Sequence, residues 1–138
     1  MRFFTIGYGG RPPAEFTKLL VDAGVKTIVD VRIRPDKASM GSYSKAKTPE
    51  KGIEALLAGH GIAYVSMLEL GNVFLGNPQW PALYAELIRQ AGDLLTRRLS
   101  DVPGPFCLLC AEKRVAECHR RTIAEYLVRQ GHDVHHIE

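Results

Sequence analysis

Short apolar segments alternate with segments of helical periodicity along all 138 residues of the chain. The apolar segments are rich in β-branched and aromatic residues and end at turn residues, which is typical of buried strands. They cover 2–6, 26–33, 62–67, 106–109 and 132–137. Because parallel strands need a long crossover connection, this alternation predicts an α/β fold. We expect one three-layer domain, Rossmann-like or flavodoxin-like, with a mostly parallel sheet of about five strands and helices on both faces.

Capping and turn residues mark the ends of the predicted helices. The first helix begins near Pro12, since proline is tolerated in a first turn, and ends at Gly24, a C-cap candidate. Thr48 is the N-cap candidate of the second helix. The third helix is predicted over 80–99, and the fourth ends at Gly131.

Composition predicts an intracellular globular protein. The apolar fraction of 46% and the charged fraction of 24% match ordinary globular usage. The first residues lack the apolar core of a signal peptide, and no run approaches the roughly 20 apolar residues of a membrane span. We therefore expect a cytoplasmic protein without membrane contact, whose three cysteines are reduced thiols. The net charge of +3 is compatible with phosphate binding but is small for a dedicated duplex binder.

Unusual polar segments follow four of the predicted strands. The carboxyl ends of parallel strands meet at one edge of a sheet, and ligands bind in the crevice beyond that edge. The sequence therefore predicts a ligand site there. The segments are GYGGR (7–11), DVRIRP (30–35), LELGN (68–72) and CAEKRVAECHRR (110–121).

An anion site is expected at this edge. Arg32 and Arg34 follow the second strand, while His119 and Arg120 lie at the start of the last helix, where free backbone N–H groups attract negative charge. We predict that these four residues bind a phosphate-like group, with Asp30 supporting them. In the alternative, Asp30 forms a buried ion pair with an arginine, and the helix-start arginines lie in solvent. An ion pair between Arg32 and Asp30 is compatible with Arg32 also binding an anion.

The candidates for chemistry are Cys110, Glu112 and Cys118. Cys118 lies near a helix N-terminus, which stabilises a thiolate, and Cys110 ends the fourth strand. Glu112 is the best-placed carboxylate for acid–base work, or it orients an arginine such as Arg32. Tyr8, in the turn after the first strand, is expected to support the site.

The cysteines do not predict a metal site. Residues three apart on a strand point to opposite faces, so Cys107 and Cys110 cannot bind one ion, and Cys107 is expected in the core. A set made of Cys110, Cys118 and His119 lacks an evident fourth ligand. A redox pair of Cys110 and Cys118 is the other thiol-based possibility.

The motifs together resemble the bacterial and archaeal family known as domain of unknown function 488. The resemblance covers nearly the whole chain in order. It is carried by TIGY (5–8), VDVRIRP (29–35), GIAY (61–64), LG (70–71), LCAE (109–112) and CHR (118–120). It implies a compact α/β domain and brings no reaction, cofactor or substrate. This sequence has Tyr8-Gly9 where a His-Ser pair is common in the family.

Three functions are compatible with these patterns. The favoured one is an enzyme acting on a phosphorylated small molecule, nucleotide or nucleic acid; the phosphate-binding loops of named enzyme classes are absent, so no reaction follows. The second is a non-catalytic nucleic-acid binder that uses several cations, Arg34, Lys37, Lys45, Lys47, Arg120 and Arg121. The third is a thiol or metal sensor using Cys110 and Cys118.

The polar last strand is also compatible with a homodimer.

Overall fold

The computed structural model describes residues 1–138 and contains five strands and four α-helices. The strands are β1 (Arg2–Gly7), β2 (Thr27–Asp30), β3 (Ala63–Ser66), β4 (Phe106–Cys110) and β5 (Asp133–Ile137). The helices are α1 (Pro13–Ala23), α2 (Gly52–Ala58), α3 (Trp80–Leu95) and α4 (Arg120–Arg129). Short 3-10 helices cover Gly41–Tyr43, Leu68–Leu70, Arg97–Asp101 and Val115–Glu117.

The strands form one sheet in the order β3-β2-β4-β1-β5, and every pairing is parallel. Helices α1 and α2 cover one face of this sheet, and α3 and α4 cover the other. The predicted α/β class with helices on both faces is therefore confirmed. The strand order differs from the usual Rossmann and flavodoxin orders. Strands β3 and β5 lie at the two edges of the sheet.

The central strand β4 is buried along its whole length and divides the core in two. Phe106, Leu108 and Cys110 pack toward α3 and α4, whereas Cys107 and Leu109 pack toward α1 and α2. This two-residue alternation places Cys107 and Cys110 on opposite faces, as the strand pattern predicts. Cys107 is a fully buried thiol, and burial raises its pKa.

Several predicted boundaries shift by a few residues. Strand β2 ends at Asp30 rather than at 33, and β4 extends to Cys110. Helix α2 begins at Gly52, not at Thr48, because Gly52 has a φ of 67° and pairs with the preceding loop at Lys45. The chain from 48 to 51 is thus used for a turn.

The third helix ends earlier than its apolar periodicity predicts. It stops at Leu95, where the Thr96 hydroxyl donates a hydrogen bond to the Gly92 carbonyl at 2.7 Å. Such a side-chain bond competes with the backbone ladder, and the chain continues as a 3-10 helix. No helix of the protein combines the length and the apolar character needed to cross a membrane.

Candidate active site

A crevice opens at the carboxyl edge of the sheet between neighbouring strands. Strands β1 and β4 are paired, but β1 leads into α1 on one face and β4 leads into α4 on the other. This is the topological switch at which open parallel sheets bind ligands. The crevice holds a cavity of about 270 Å³. Of the predicted site residues, those that line it are Tyr8, Arg32, Arg34, Cys110, Glu112 and His119.

Arg32 and Asp30 form a buried ion pair at the end of β2. Arg32 donates from Nε to Asp30 Oδ1 at 2.9 Å and from Nη2 to Oδ2 at 2.7 Å. Tyr64 on the adjacent strand donates to the same Oδ2 at 2.5 Å. Burial and the nearby Asp30 carboxylate raise the pKa of Tyr64, so it remains a donor. Asp30 therefore fixes the orientation of the Arg32 guanidinium.

Arg32 also lines the cavity. Its guanidinium carbon lies 5.2 Å from the centre of the Tyr8 ring, which itself stacks on Tyr43. Burial of Arg32 lowers its pKa, but the hydrogen bonds to Asp30 and the Asp30 charge outweigh burial, so the pKa of Arg32 is raised. Its Nη1 has no hydrogen-bond partner, although the residue is only 6% exposed. The protein therefore leaves one buried N–H group of Arg32 unpaired, and the ion pair with Asp30 is the structural role that the sequence offered as an alternative.

Cys110 and Cys118 are joined as a disulfide across the loop that connects β4 to α4. The expectation of reduced thiols is therefore wrong for these two residues in this state and holds for Cys107. Cys110 lines the cavity, and Cys118 lies behind it, two residues before α4. The expected position of Cys118 near the helix start agrees with the structure.

Arg120 is fully buried and does not line the cavity. Its guanidinium donates to the Glu112 carbonyl at 2.6 Å, the Lys113 carbonyl at 3.1 Å and the Thr5 hydroxyl at 3.2 Å. Nη1 also contacts the Cys110 sulfur at 2.9 Å. The predicted anion-binding role of Arg120 is therefore wrong, because its donors are used inside the protein. They hold the loop between β4 and α4 in place.

Burial lowers the pKa of Arg120, and no carboxylate forms an ion pair with it. A buried guanidinium without a counter-ion is costly.

Glu112 stands beside the two sulfur atoms. One carboxylate oxygen and the sulfurs of Cys110 and Cys118 all lie within 4.8 Å of one another. The Glu112 backbone is placed by a close approach to β1, because a side chain at Gly7 would overlap the Glu112 carbonyl. The half-buried carboxylate is positioned to exchange protons with either thiol.

His119 is a neutral side chain in this site. Its Nε2 lies 2.8 Å from the Val31 carbonyl, an acceptor, so this nitrogen carries the proton. The other nitrogen, Nδ1, lies 3.7 Å from the Cys118 sulfur. Burial lowers the pKa of His119. The ring lines the cavity, but its Nε2–H is used by the Val31 carbonyl, and the anion-binding role of His119 stays a prediction.

The exposed cations of the predicted nucleic-acid surface are largely paired within the chain. Arg34 pairs with Asp36 at 3.1 Å, Lys45 with Glu54 at 3.3 Å, and Arg121 with Glu125 at 3.4 Å. Arg34 nevertheless reaches the cavity rim together with Lys37. The cations therefore do not form one unpaired face.

The sequence patterns missed two residues that shape the site. Asn72 is 4% exposed and lines the cavity, where its Oδ1 accepts a hydrogen bond from the Phe74 N–H at 3.0 Å. The LGN motif after β3 was the available signal. Tyr64 lies in a four-residue strand whose apolar pattern gave no sign of its contact with Asp30.

Residues 12–127 match the family model described as Domain of unknown function DUF488, so the chain belongs to this family. The match confirms the resemblance read from the motifs. The comparison with curated proteins and the comparison with solved structures gave no match.

Proposed function

We propose that this member of the DUF488 family is a thiol-dependent oxidoreductase that reduces a small, anionic disulfide-containing substrate. The observation that carries the proposal is the pair of adjacent sulfurs, Cys110 and Cys118, with the Arg120 guanidinium 2.9 Å from the Cys110 sulfur. A dithiol couple beside a fixed cation is the arrangement that thiol–disulfide exchange requires.

Cys110 is the attacking residue because it lines the cavity, whereas Cys118 lies behind it. The Cys110 thiolate forms a bond to one substrate sulfur, the substrate S–S bond breaks, and the first product leaves as a thiol after taking a proton from water. Cys118 then attacks the Cys110 sulfur and releases the second thiol. Glu112, whose carboxylate oxygen lies within 4.8 Å of both sulfurs, accepts the Cys118 proton and passes it to the departing thiolate, which leaves as the second thiol. Two electrons pass to the substrate, and a second dithiol returns the protein disulfide to its reduced form.

Arg32 supports the choice of an anionic substrate. It is the only cation both buried and lining the cavity, and its Nη1 lacks a partner. A carboxylate or phosphate on the substrate supplies that partner as a charge-assisted hydrogen bond. The thiol cycle also fits a reducing cytoplasm, which would regenerate the dithiol.

The pairing of surface cations disfavours the nucleic-acid binder. Arg34, Lys45 and Arg121 each pair with a carboxylate of the chain, and Arg120 is buried, so four of the six cations of that hypothesis already have partners inside the protein. An anion site therefore remains part of the proposed enzyme, with Arg32 as its ligand in place of the residues at the start of α4.

A trapping experiment tests the reaction. Reduced protein is mixed with glutathione disulfide, which carries carboxylates, and its adducts are located by mass spectrometry. Cys118→Ser should accumulate a mixed disulfide on Cys110, and Cys110→Ser should form none. Cys107→Ser is the control and should behave as the unchanged protein, since Cys107 lies on the other face of β4. An adduct confined to Cys118, or none in any variant, contradicts the proposal.

A matched pair of arginine variants tests the anion site. Arg32→Gln should lower the rate with glutathione disulfide by about 10- to 100-fold, the loss of one charge-assisted hydrogen bond, and should leave the rate with the cationic disulfide cystamine little changed. Arg34→Gln should have a small effect, because Arg34 is exposed and paired with Asp36. Equal losses with both disulfides would show that Arg32 is only structural.

A further inference from the structure

The loop between β4 and α4 brings three potential metal ligands together. Sulfur atoms of Cys110 and Cys118 and one Glu112 carboxylate oxygen lie within 4.8 Å of one another. Tetrahedral zinc with thiolate and oxygen ligands has ligand atoms about 3.3–3.8 Å apart. Small side-chain rotations would therefore bring the three atoms onto one ion once the disulfide is reduced.

Charge balance also favours a divalent cation. Two thiolates and the Glu112 carboxylate carry three negative charges, and the buried Arg120 beside Cys110 supplies one positive charge. A divalent ion neutralises the remainder. Buried charges are stable only when they are paired in this manner.

We propose that the reduced protein binds one zinc-like divalent cation through Cys110, Cys118 and Glu112. Each thiol loses its proton to solvent on binding. Disulfide and metal are mutually exclusive, because the same sulfur electron pairs form the S–S bond or the metal bonds. The site uses the same sulfurs as the proposed reaction but does not require that reaction.

Cobalt(II) absorption tests the site without any turnover. Protein reduced by a phosphine under argon should take up one equivalent of Co²⁺, with thiolate-to-cobalt charge-transfer bands and the visible bands of tetrahedral cobalt, and Zn²⁺ should displace it. The oxidised protein should show neither band. Absence of the bands in the reduced protein overturns the proposal.

Variants assign the ligands. Cys110→Ser and Cys118→Ser should each weaken Co²⁺ binding by more than about 100-fold, and Glu112→Gln by about 10- to 100-fold. Cys107→Ser is the matched control, because it removes a thiol from the opposite face of β4 and should bind as the unchanged protein does. Binding that survives in Cys110→Ser, or that keeps full affinity in Glu112→Gln, overturns the site. Since the trapping of mixed disulfides needs no metal, failure here leaves that reaction separately testable.

Discussion

Replacing Arg120 by Met removes the guanidinium that holds the β4–α4 loop. The side chain is fully buried, and it binds the carbonyls of Glu112 at 2.6 Å and Lys113 at 3.1 Å. Each carbonyl left without a partner costs roughly 1–3 kcal/mol, and both bonds are only partly shielded, so the lower half of that range applies. Losing a buried unpaired charge offsets part of this cost. We expect a net loss of about 2 kcal/mol in the free energy of unfolding.

The same change should slow the reaction of the Cys110 thiol. Arg120 Nη1 lies 2.9 Å from the Cys110 sulfur, and a charged donor favours the thiolate by roughly 1.5–3 kcal/mol. Alkylation of Cys110 in the reduced protein at neutral pH should therefore fall by about 10-fold or more in Arg120→Met.

Urea denaturation and timed alkylation measure the two effects. Arg121→Met is the matched control, because Arg121 is exposed and pairs only with Glu125 on the helix surface. It should change stability by less than about 0.5 kcal/mol and leave alkylation unchanged. The reasoning is refuted if Arg120→Met unfolds and alkylates as Arg121→Met does.

Three further changes test other contacts of the site. Gly7→Ala should destabilise by about 3 kcal/mol in urea, because the added methyl overlaps the Glu112 carbonyl; an unchanged midpoint would show that the loop moves freely. Tyr64→Phe should cost about 1–2 kcal/mol in the same assay, since the Asp30 carboxylate loses a donor at 2.5 Å; no loss would mean that water replaces the phenol. Because burial lowers the pKa of folded His119, the unfolded chain binds the proton first, so stability should fall as pH drops below about 6.5, by up to about 1.4 kcal/mol per pH unit. His119→Gln should flatten this slope, and an identical slope in both proteins would show that His119 is not its source.

Much of the fold followed from periodicity. The apolar segments and turn residues predicted all five strands and four helices, because their two- and 3.6-residue patterns are local. The start of α2 did not follow, since Gly52 pairs with a loop residue and overrides the capping signal at Thr48. Contacts between segments outweigh such local signals.

The edge of the sheet was predictable, but the role of each charged side chain was not. Arg120 was expected to face a ligand, yet it lies on the buried stripe of α4 with Ile123, Ala124 and Leu127. That three- and four-residue spacing was a usable signal for an inward-facing arginine. The pairing of Cys110 with Cys118 was an alternative that the sequence left open, and the compartment argument favoured reduced thiols because it concerns structural disulfides and not reactive pairs.

The proposed reaction and the proposed cation site both require Cys110 and Cys118 to be a reversible dithiol couple. The direct measurement equilibrates the protein in buffers of graded dithiol and disulfide, alkylates the free thiols, and locates them by peptide mass spectrometry. Cys110 and Cys118 should change state together as one two-electron couple, while Cys107 stays a buried thiol throughout. Free thiols at both positions in the most oxidising buffer, or a disulfide that involves Cys107, would contradict the account.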